Sequence, residues 1–316
     1  MPGRVLFLST FLSSGQIVTG TSKVFVCTGD GTIRTFKEVA GGSVPVKDKD
    51  FTYSGNCEVI DDTDEVLGTN WRIKFLTSGV LTLKDERLVD VFLVGGGGNG
   101  GTSNYSTDNG SGRGFYCGGA GGGGGYTKTV SNITLEKEIG INIIIPSSTG
   151  SASIIGYDDC SVSGGASGGA GIWYNSKVGG DGGSGGGACN YIGWGSYYTN
   201  SDTGGEAAIG PLGGTDGADG RPMVVTYIES RIEVTKTITG GTGQGSTTRE
   251  FGDPAGDLYS AGGQGGTKFD KAVSGLANTG NGGQGACNKL VNSQYIKNTE
   301  VGLGGSGIII IRKHKE

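Results

Sequence analysis

The sequence predicts an all-β fold in which the strands of a β-sandwich clamp a bundle of polyglycine II helices, with essentially no α-helix. Three observations predict it. The apolar stretch VDVFLV at 89–94 runs straight into GGGGNGG, and no helix-forming segment follows. Comparable glycine runs return at residues 118–125, 164–171, 179–187, 213–220, 240–245, 262–266, 280–285 and 302–307. A second buried strand, GIIIIRK, then closes the series at 307–313.

Of 316 residues, 69 are glycine and only 34% are apolar, so a conventional core cannot run through the whole length. The apolar and β-branched residues gather before Val94, between Tyr126 and Ile155, and at 308–311, which is where a packed core belongs. Glycine at this density ordinarily signals disorder, because glycine loses the most backbone freedom on ordering. Here, however, the runs are short, alternate with segments that carry aromatics, and contain little Ser, Pro or charge, unlike flexible linkers. Collagen is excluded by six prolines and the lack of a long triplet register.

A net charge of −5 leaves no basic footprint, so nucleic acid is not an expected partner. No apolar stretch reaches the length of a membrane span, and no membrane insertion is expected. The first residues, MPGRVLFLSTFLSSG, place Arg4 before an apolar run as a signal peptide would, but read better as an uncleaved strand. Six cysteines (Cys27, Cys57, Cys117, Cys160, Cys189, Cys287) are scattered without CxxC pairs, and the one histidine, His314, lies in the tail. That pattern predicts no metal site and no cofactor, and favours free thiols over three disulfides in a protein assembled inside a cell.

In chain order, residues 1–46 alternate short apolar stretches with turns such as TGDGT, and form an N-terminal β attachment or oligomerisation segment. Residues 47–94 supply the first part of the sandwich, with WRIKFLTS, GVLTL and VDVFLV as strands and DDTDE as an exposed turn. Asp61, Asp62, Asp64 and Glu65 in that turn lack the glycine and glutamate order of a calcium loop. Residues 95–125 form a first glycine-rich excursion. Its Gly95, Gly97 and Gly100 match GxGxxG, yet the TSNYSTDNGSGRG that follows cannot start the helix on which pyrophosphate binding depends. Residues 126–163 return to the sandwich, with YTKTVSNITL and INIIIPSS as an outward and return pair and SASIIGYDDCSV adding further strand. Residues 164–307 form the polyglycine II bundle with its inter-run loops, and 308–316 the closing strand and basic tail.

A polyglycine II chain has three residues per turn, rises about 3.1 Å per residue and makes no internal hydrogen bonds. Its N–H and C=O groups therefore point outward in three directions and can pair with neighbouring chains, which the missing Cβ allows to come close. Ordering costs about 1–2 kcal/mol per residue against about 0.5–1.5 per net hydrogen bond, so such a bundle needs a stable domain at its ends. In GGDGGSGGG and GGTDGADG a side chain recurs about every third position, which predicts an outer edge lined by Asp181, Ser184, Thr215 and Ala218. The bare GGGGG at 121–125 suits a helix surrounded on all sides. Because the chain must return to the sandwich, runs come in even numbers. Seven follow Val162, and GGEAAIG at 204–210 is the preferred eighth.

NWRIKFLTSGVLTL with VDVFLVGGGGNGG, then GGGGGYTKT, GQGSTTREFG, DLYSAGGQGG and the closing GGSGIIIIR resemble the glycine-rich domains of bacteriophage and prophage tail proteins, including tail-fibre adhesins. The resemblance spans about residues 51–316. It implies packed polyglycine II helices with receptor-binding loops at the tip, in a virion protein that is assembled in the host cytoplasm and acts outside it. A similar glycine-rich module occurs outside the cell in some animal receptor kinases, where it binds protein ligands.

No catalytic constellation is legible: the single histidine excludes the usual triads, and the carboxylate pairs Asp158/Asp159 and Asp253/Asp257 read as solvated turns, with a polysaccharide-degrading role of the tail-spike kind as the minor alternative. A binding role is expected instead. Aromatics on loops held by a rigid frame add contact area at little entropic cost, and those singled out are Tyr105, Phe115, Tyr116, Trp173, Tyr174, Trp194, Tyr197, Tyr198 and Phe269. The bland alternative has the same aromatics covering bundle ends and packing on one another. The expected partners are a bacterial surface receptor, protein or glycan, other tail proteins, and two further copies in a homotrimer. The rival reading is a non-binding virion or tail spacer. Ice binding, suggested by flat polyglycine faces, fits poorly with bulky, varied loops.

Overall fold

The computed structural model describes residues 50–60, 70–103, 118–170, 179–187, 248–266, 271–286 and 299–315 in full. It describes the backbone alone of the strands at 23–24, 39–40, 104–107, 114–117, 191–192, 223–229, 232–238, 289–291 and 294–296. The chain divides into two units, Met1–Lys49 and Asp50–Glu316. In the first, β1 (Lys23–Val24) pairs antiparallel with β2 (Val39–Ala40), while the TGDGT turn lies outside the described residues.

The second unit is built on a sandwich of two five-stranded antiparallel sheets. Its first strands are β3 (Phe51–Tyr53), β4 (Cys57–Ile60), β5 (Arg72–Phe75), β6 (Gly79–Leu83) and β7 (Arg87–Val94). The first excursion carries β8 (Asn104–Thr107) and β9 (Gly114–Cys117). The chain returns as β10 (Thr127–Leu135), β11 (Ile141–Ile144), β12 (Ala152–Ile154) and β13 (Ser161–Val162). The long excursion holds β14 (Tyr191–Ile192), the hairpin β15 (Met223–Glu229) and β16 (Ile232–Ile238), and the hairpin β17 (Lys289–Val291) and β18 (Gln294–Ile296). Closure comes with β19 (Ile308–Lys313).

One sheet runs β10-β7-β19-β5-β4 and the other β13-β12-β11-β6-β3. The closing strand inserts between β7 and β5, setting Ile309 beside Leu93 and Phe75, and Ile311 beside Val91 and Ile73. These side chains and those of Leu81, Leu83, Ile141, Ile143 and Ile154 form the inter-sheet core with Trp71. The alternate residues of β7 and β19, Phe92, Val94, Ile308 and Ile310, are buried on the opposite face. Apolar burial on both faces explains why these two strands read as unbroken apolar runs.

The expected outward and return pair is not a hairpin. β10 pairs with β7, whereas β11 pairs with β6 and β12 in the other sheet, so the chain crosses between layers at residues 136–140. A register shift between Val130 and Ile133, where Asn132 takes a φ of 64°, bends β10 as it pairs with β7.

Candidate functional site

The glycine runs form a hydrogen-bonded lattice around one central run, residues 118–125, all of it buried. Its N–H groups point in three directions at a period of three residues. Gly119, Gly122 and Gly125 donate to Ala286, Gly283 and Gly280; Ala120 and Gly123 to Gly169 and Ala166; Gly121 and Gly124 to Gly187 and Ser184, all at 2.7–2.9 Å. Its carbonyls serve three other neighbours: those of Ala120 and Gly123 accept from Gly101 and Gly98, those of Gly119 and Gly122 from Gly266 and Gly263, and those of Gly121 and Gly124 from Gly180 and Gly183. Six segments thus surround the central one, each bonded to it through backbone alone.

The ring is itself closed. Gly165 bonds to Gly96, Ala166 to Asp181, Gly186 to Gly180, Gly187 to Gly263, Gly285 to Gln264 and Gly283 to Gly98, linking each segment to the next around the circle. The need for glycine follows from the spacing: a Cβ on Gly119, Gly121, Gly122, Gly123, Gly124 or Gly125 would lie 1.8–2.2 Å from a backbone oxygen. Where neighbouring backbone is out of reach, side-chain amides substitute. Asn99 accepts from the Gly304 N–H, Asn281 from Ala261 and Gln284 from Val273. The GxGxxG glycines belong to this lattice as well. The N–H groups of Gly95, Gly97 and Gly100 donate to Tyr126, Gly305 and Gly302, which leaves those donors engaged rather than turned toward a phosphate.

Two expectations about the runs are corrected. Residues 179–187 are not one run: Gly180 and Gly183 donate to Gly121 and Gly124 in parallel register, whereas Ser184 and Gly187 accept from Gly124 and Gly121 in antiparallel register. The chain therefore reverses near Gly183, so that 179–187 makes two passes of opposite direction; the expected eighth run at 204–210 lies outside the described residues. The reversal also buries Ser184, expected on the outer edge, whose hydroxyl has no hydrogen-bond partner; Asp181 is exposed as expected. Thr215 and Ala218 lie outside the described residues. In addition, residues 271–276, expected as loop, run alongside the last glycine run, with Gly275 donating to Leu303.

Because the runs alternate in direction, residues 101, 118, 170, 179, 187, 266, 271, 286 and 301 all lie at the end of the bundle away from the sandwich. There β9 pairs with β8 and β14 in a three-stranded sheet, setting Tyr105 opposite Tyr116, Ser106 opposite Phe115, and Tyr116 opposite Ile192. β18 lies beside β8. Three of the nine selected aromatics, Tyr105, Phe115 and Tyr116, are thus brought onto one small sheet. Trp173, Tyr174, Trp194, Tyr197, Tyr198 and Phe269 lie outside the described residues, as does the DDTDE turn.

The opposite end carries a polar cluster that the sequence did not reveal. Residues 248–260 form a strap over the outer face of the β10-β7-β19-β5-β4 sheet, where the rings of Phe251 and Tyr259 pack at a tilt against Phe92, with centroids 5.8 and 5.5 Å away. Buried Glu250 pairs with Arg72 at 2.7 Å and Lys74 at 3.4 Å, and Tyr259 donates to it at 3.2 Å. Asp257 pairs with Lys74 at 3.1 Å, and Asp253 with Arg312, whose guanidinium lies 4.0 Å above the Phe251 ring. Asp253 and Asp257 lie on a solvated turn, as expected, with side chains 45% and 70% exposed, and each also makes an ion pair to the sheet. Likewise His314 is no free tail residue, because its Nδ1 lies 2.6 Å from Asp90.

These contacts set the titration of the cluster. Burial pushes the Asp90 carboxyl up, but hydrogen bonds from His314, the Asn132 N–H and Arg312 outweigh it and hold Asp90 below its ordinary value. Burial lowers Lys74, yet Tyr259, Glu250 and Asp257 more than compensate and raise it. Tyr259 is pushed up to about 12, chiefly by burial. These ion pairs bind the strap to the sheet. Among the described residues no group of three His, Cys, Asp or Glu side chains could hold a metal ion.

No curated protein matches the chain significantly. A family model for a glycine-rich domain matches residues 77–314, from the β6 edge of the sandwich through every described glycine run to the end of β19. That span is well over half of the sequence: the chain belongs to this glycine-rich domain family.

Proposed function

We propose that this protein is a non-enzymatic tail-fibre or tail-tip adhesin of a bacteriophage, which binds a bacterial surface protein or glycan through the segments at the distal end of its glycine bundle. The observation that carries the proposal is the common end of the bundle at which the described residues flanking those segments lie. The described lattice residues that flank 102–117, 171–178 and 287–300 in sequence lie at one end of the bundle, and these three stretches are rich in Tyr, Trp and Asn. A lattice held by backbone hydrogen bonds in three directions is a stiff base, and aromatics on a stiff base lose little entropy on binding. The proposed setting is the virion, with other tail proteins as partners and a homotrimer formed through the N-terminal segment.

The test is replacement of residues 172–178 or 190–201 by Gly/Ser sequence of equal length in a phage carrying this gene. Adsorption to the host should fall at least tenfold while particles assemble in normal number. Normal adsorption with defective particles would instead support a spacer, the second reading, which the stiffness of the same lattice favours. Light scattering of the purified chain tests the trimer.

A further inference from the structure

We propose that Asn99 and Asn281 are deamidation sites that the assembled bundle holds shut and the unassembled chain leaves open, so that an isoaspartate formed at either one bars the chain from the bundle. Three asparagines precede a glycine, at 99, 109 and 281, and the first and last of them lie in described glycine runs. An Asn-Gly link is especially prone to this reaction, because no β-carbon shields the glycine nitrogen or restricts its rotation. That nitrogen gives up its proton and bonds to the Asn Cγ; the Cγ–Nδ2 bond breaks, and ammonia leaves with the proton. Water then opens the cyclic imide at one of its two carbonyls. One opening yields aspartate. The other yields isoaspartate, whose main chain runs through Cβ and Cγ and is longer by one carbon.

In the bundle every group that must move is held. The Gly100 N–H donates to Gly302 at 2.9 Å, and the Asn99 peptide carbonyl accepts from Gly168 at 2.8 Å. The Asn99 Oδ1 accepts from the Gly304 N–H at 2.9 Å. Asn281 repeats the arrangement: the Gly282 N–H donates to Ala261 at 2.8 Å, the Asn281 peptide carbonyl accepts from Gly305 at 2.7 Å, and Oδ1 accepts from the Ala261 N–H at 2.8 Å. Ring closure has to turn the peptide about the Asn Cα–C bond, out of its extended form, and swing Cγ toward the nitrogen, which breaks all three bonds at once. There is no room for that turn. A Cβ on Gly100 would lie 2.0 Å from the Gln284 carbonyl oxygen, and one on Gly282 would lie 2.0 Å from that of Gly122. The reaction therefore waits on local opening of the bundle, and its rate falls with the population of the open form.

The two products differ in what they do to the bundle. Aspartate keeps the length of the main chain and leaves an oxygen where Oδ1 receives the Gly304 or Ala261 N–H. Isoaspartate draws Cγ into the main chain and adds a carbon to a run whose donors meet their partners at a period of three residues. Every group beyond it then falls out of phase. At 281 these are the N–H groups of Gly282, Gly283, Gln284, Gly285 and Ala286, each of which donates to a different neighbour. At 99 they are those of Gly100 and Gly101, the second of which bonds to the central run at Ala120. Time spent unassembled is thereby written into the chain irreversibly, and assembly stops the record.

The experiment incubates the full chain in mildly alkaline buffer, one portion folded and one in urea. Residues 99 and 281 are followed by peptide mass spectrometry with electron-transfer fragmentation, which separates isoaspartate from aspartate. Deamidation at both positions should be at least about tenfold slower in the folded portion, and equal rates in the two portions would overturn the proposal. The urea portion is then returned to buffer and its compact chains are isolated by gel filtration. Isoaspartate at 99 and 281 should be depleted from the compact fraction while aspartate is retained. Isoaspartate present there in undiminished proportion would overturn the proposal as well.

Discussion

Gly123 and Asp181 sit side by side in the lattice and should respond to substitution in opposite ways. A Cβ on Gly123 would lie 2.2 Å from the carbonyl oxygen of Asp181, a backbone atom held on both sides, whereas the Asp181 side chain projects into solvent. Gly123→Ala is expected to cost about 1–3 kcal/mol, the range for overpacking, and Asp181→Asn to stay within about 0.5, as chemical denaturation of the two variants will read. Asp90 makes the second residue-scale prediction. Its folded pKa lies below the ordinary 3.8, so it contributes stability that is complete above that value and is lost as pH falls through the folded value. Thermal unfolding should therefore show a Tm that declines below about pH 4, with a shallower decline in Asp90→Asn. Neither contrast was fully legible from the chain. The bare GGGGG announced a surrounded run, but nothing in it predicted that His314 and Arg312 would meet Asp90, or that Ser184 would be turned inward by a reversal within a stretch that reads as one run.

The strap at 248–260 is fastened to the sheet by one buried carboxylate. Its Glu250 side chain is 1% exposed while that of its partner Arg72 is 39% exposed, so the guanidinium can regain water when the carboxylate is lost. Glu250→Ala should accordingly cost about 2 kcal/mol, less than the 3–5 of a fully buried pair, and proteolysis should reach residues 248–260 first. The strap escaped sequence reading because REFGDPAGDLY has the acidic, Gly- and Pro-marked composition of a solvated loop. Its two aromatics, Phe251 and Tyr259, were the available signal, matching a sheet face that β7 and β19 leave apolar. The sandwich strands were legible for the converse reason: β-branched residues at alternating or continuous positions have few other places to go.

At the scale of the whole molecule, the sequence indicated a bundle but not its six-around-one order, because glycine carries no side chain to mark which neighbour it meets. The order has a measurable consequence: native-state exchange should find the amides of residues 119–125 protected to a degree comparable with β7, and unprotected amides there would refute the lattice. A threefold bonding pattern also makes the central run behave like text read in triplets. Removing one glycine from 121–125 would turn every later N–H by about 120°, away from its partner, while removing three would restore the phase and only shorten the rod. Insertions and deletions in this stretch are thus expected to survive in threes, as a rule of backbone geometry that resembles a reading frame.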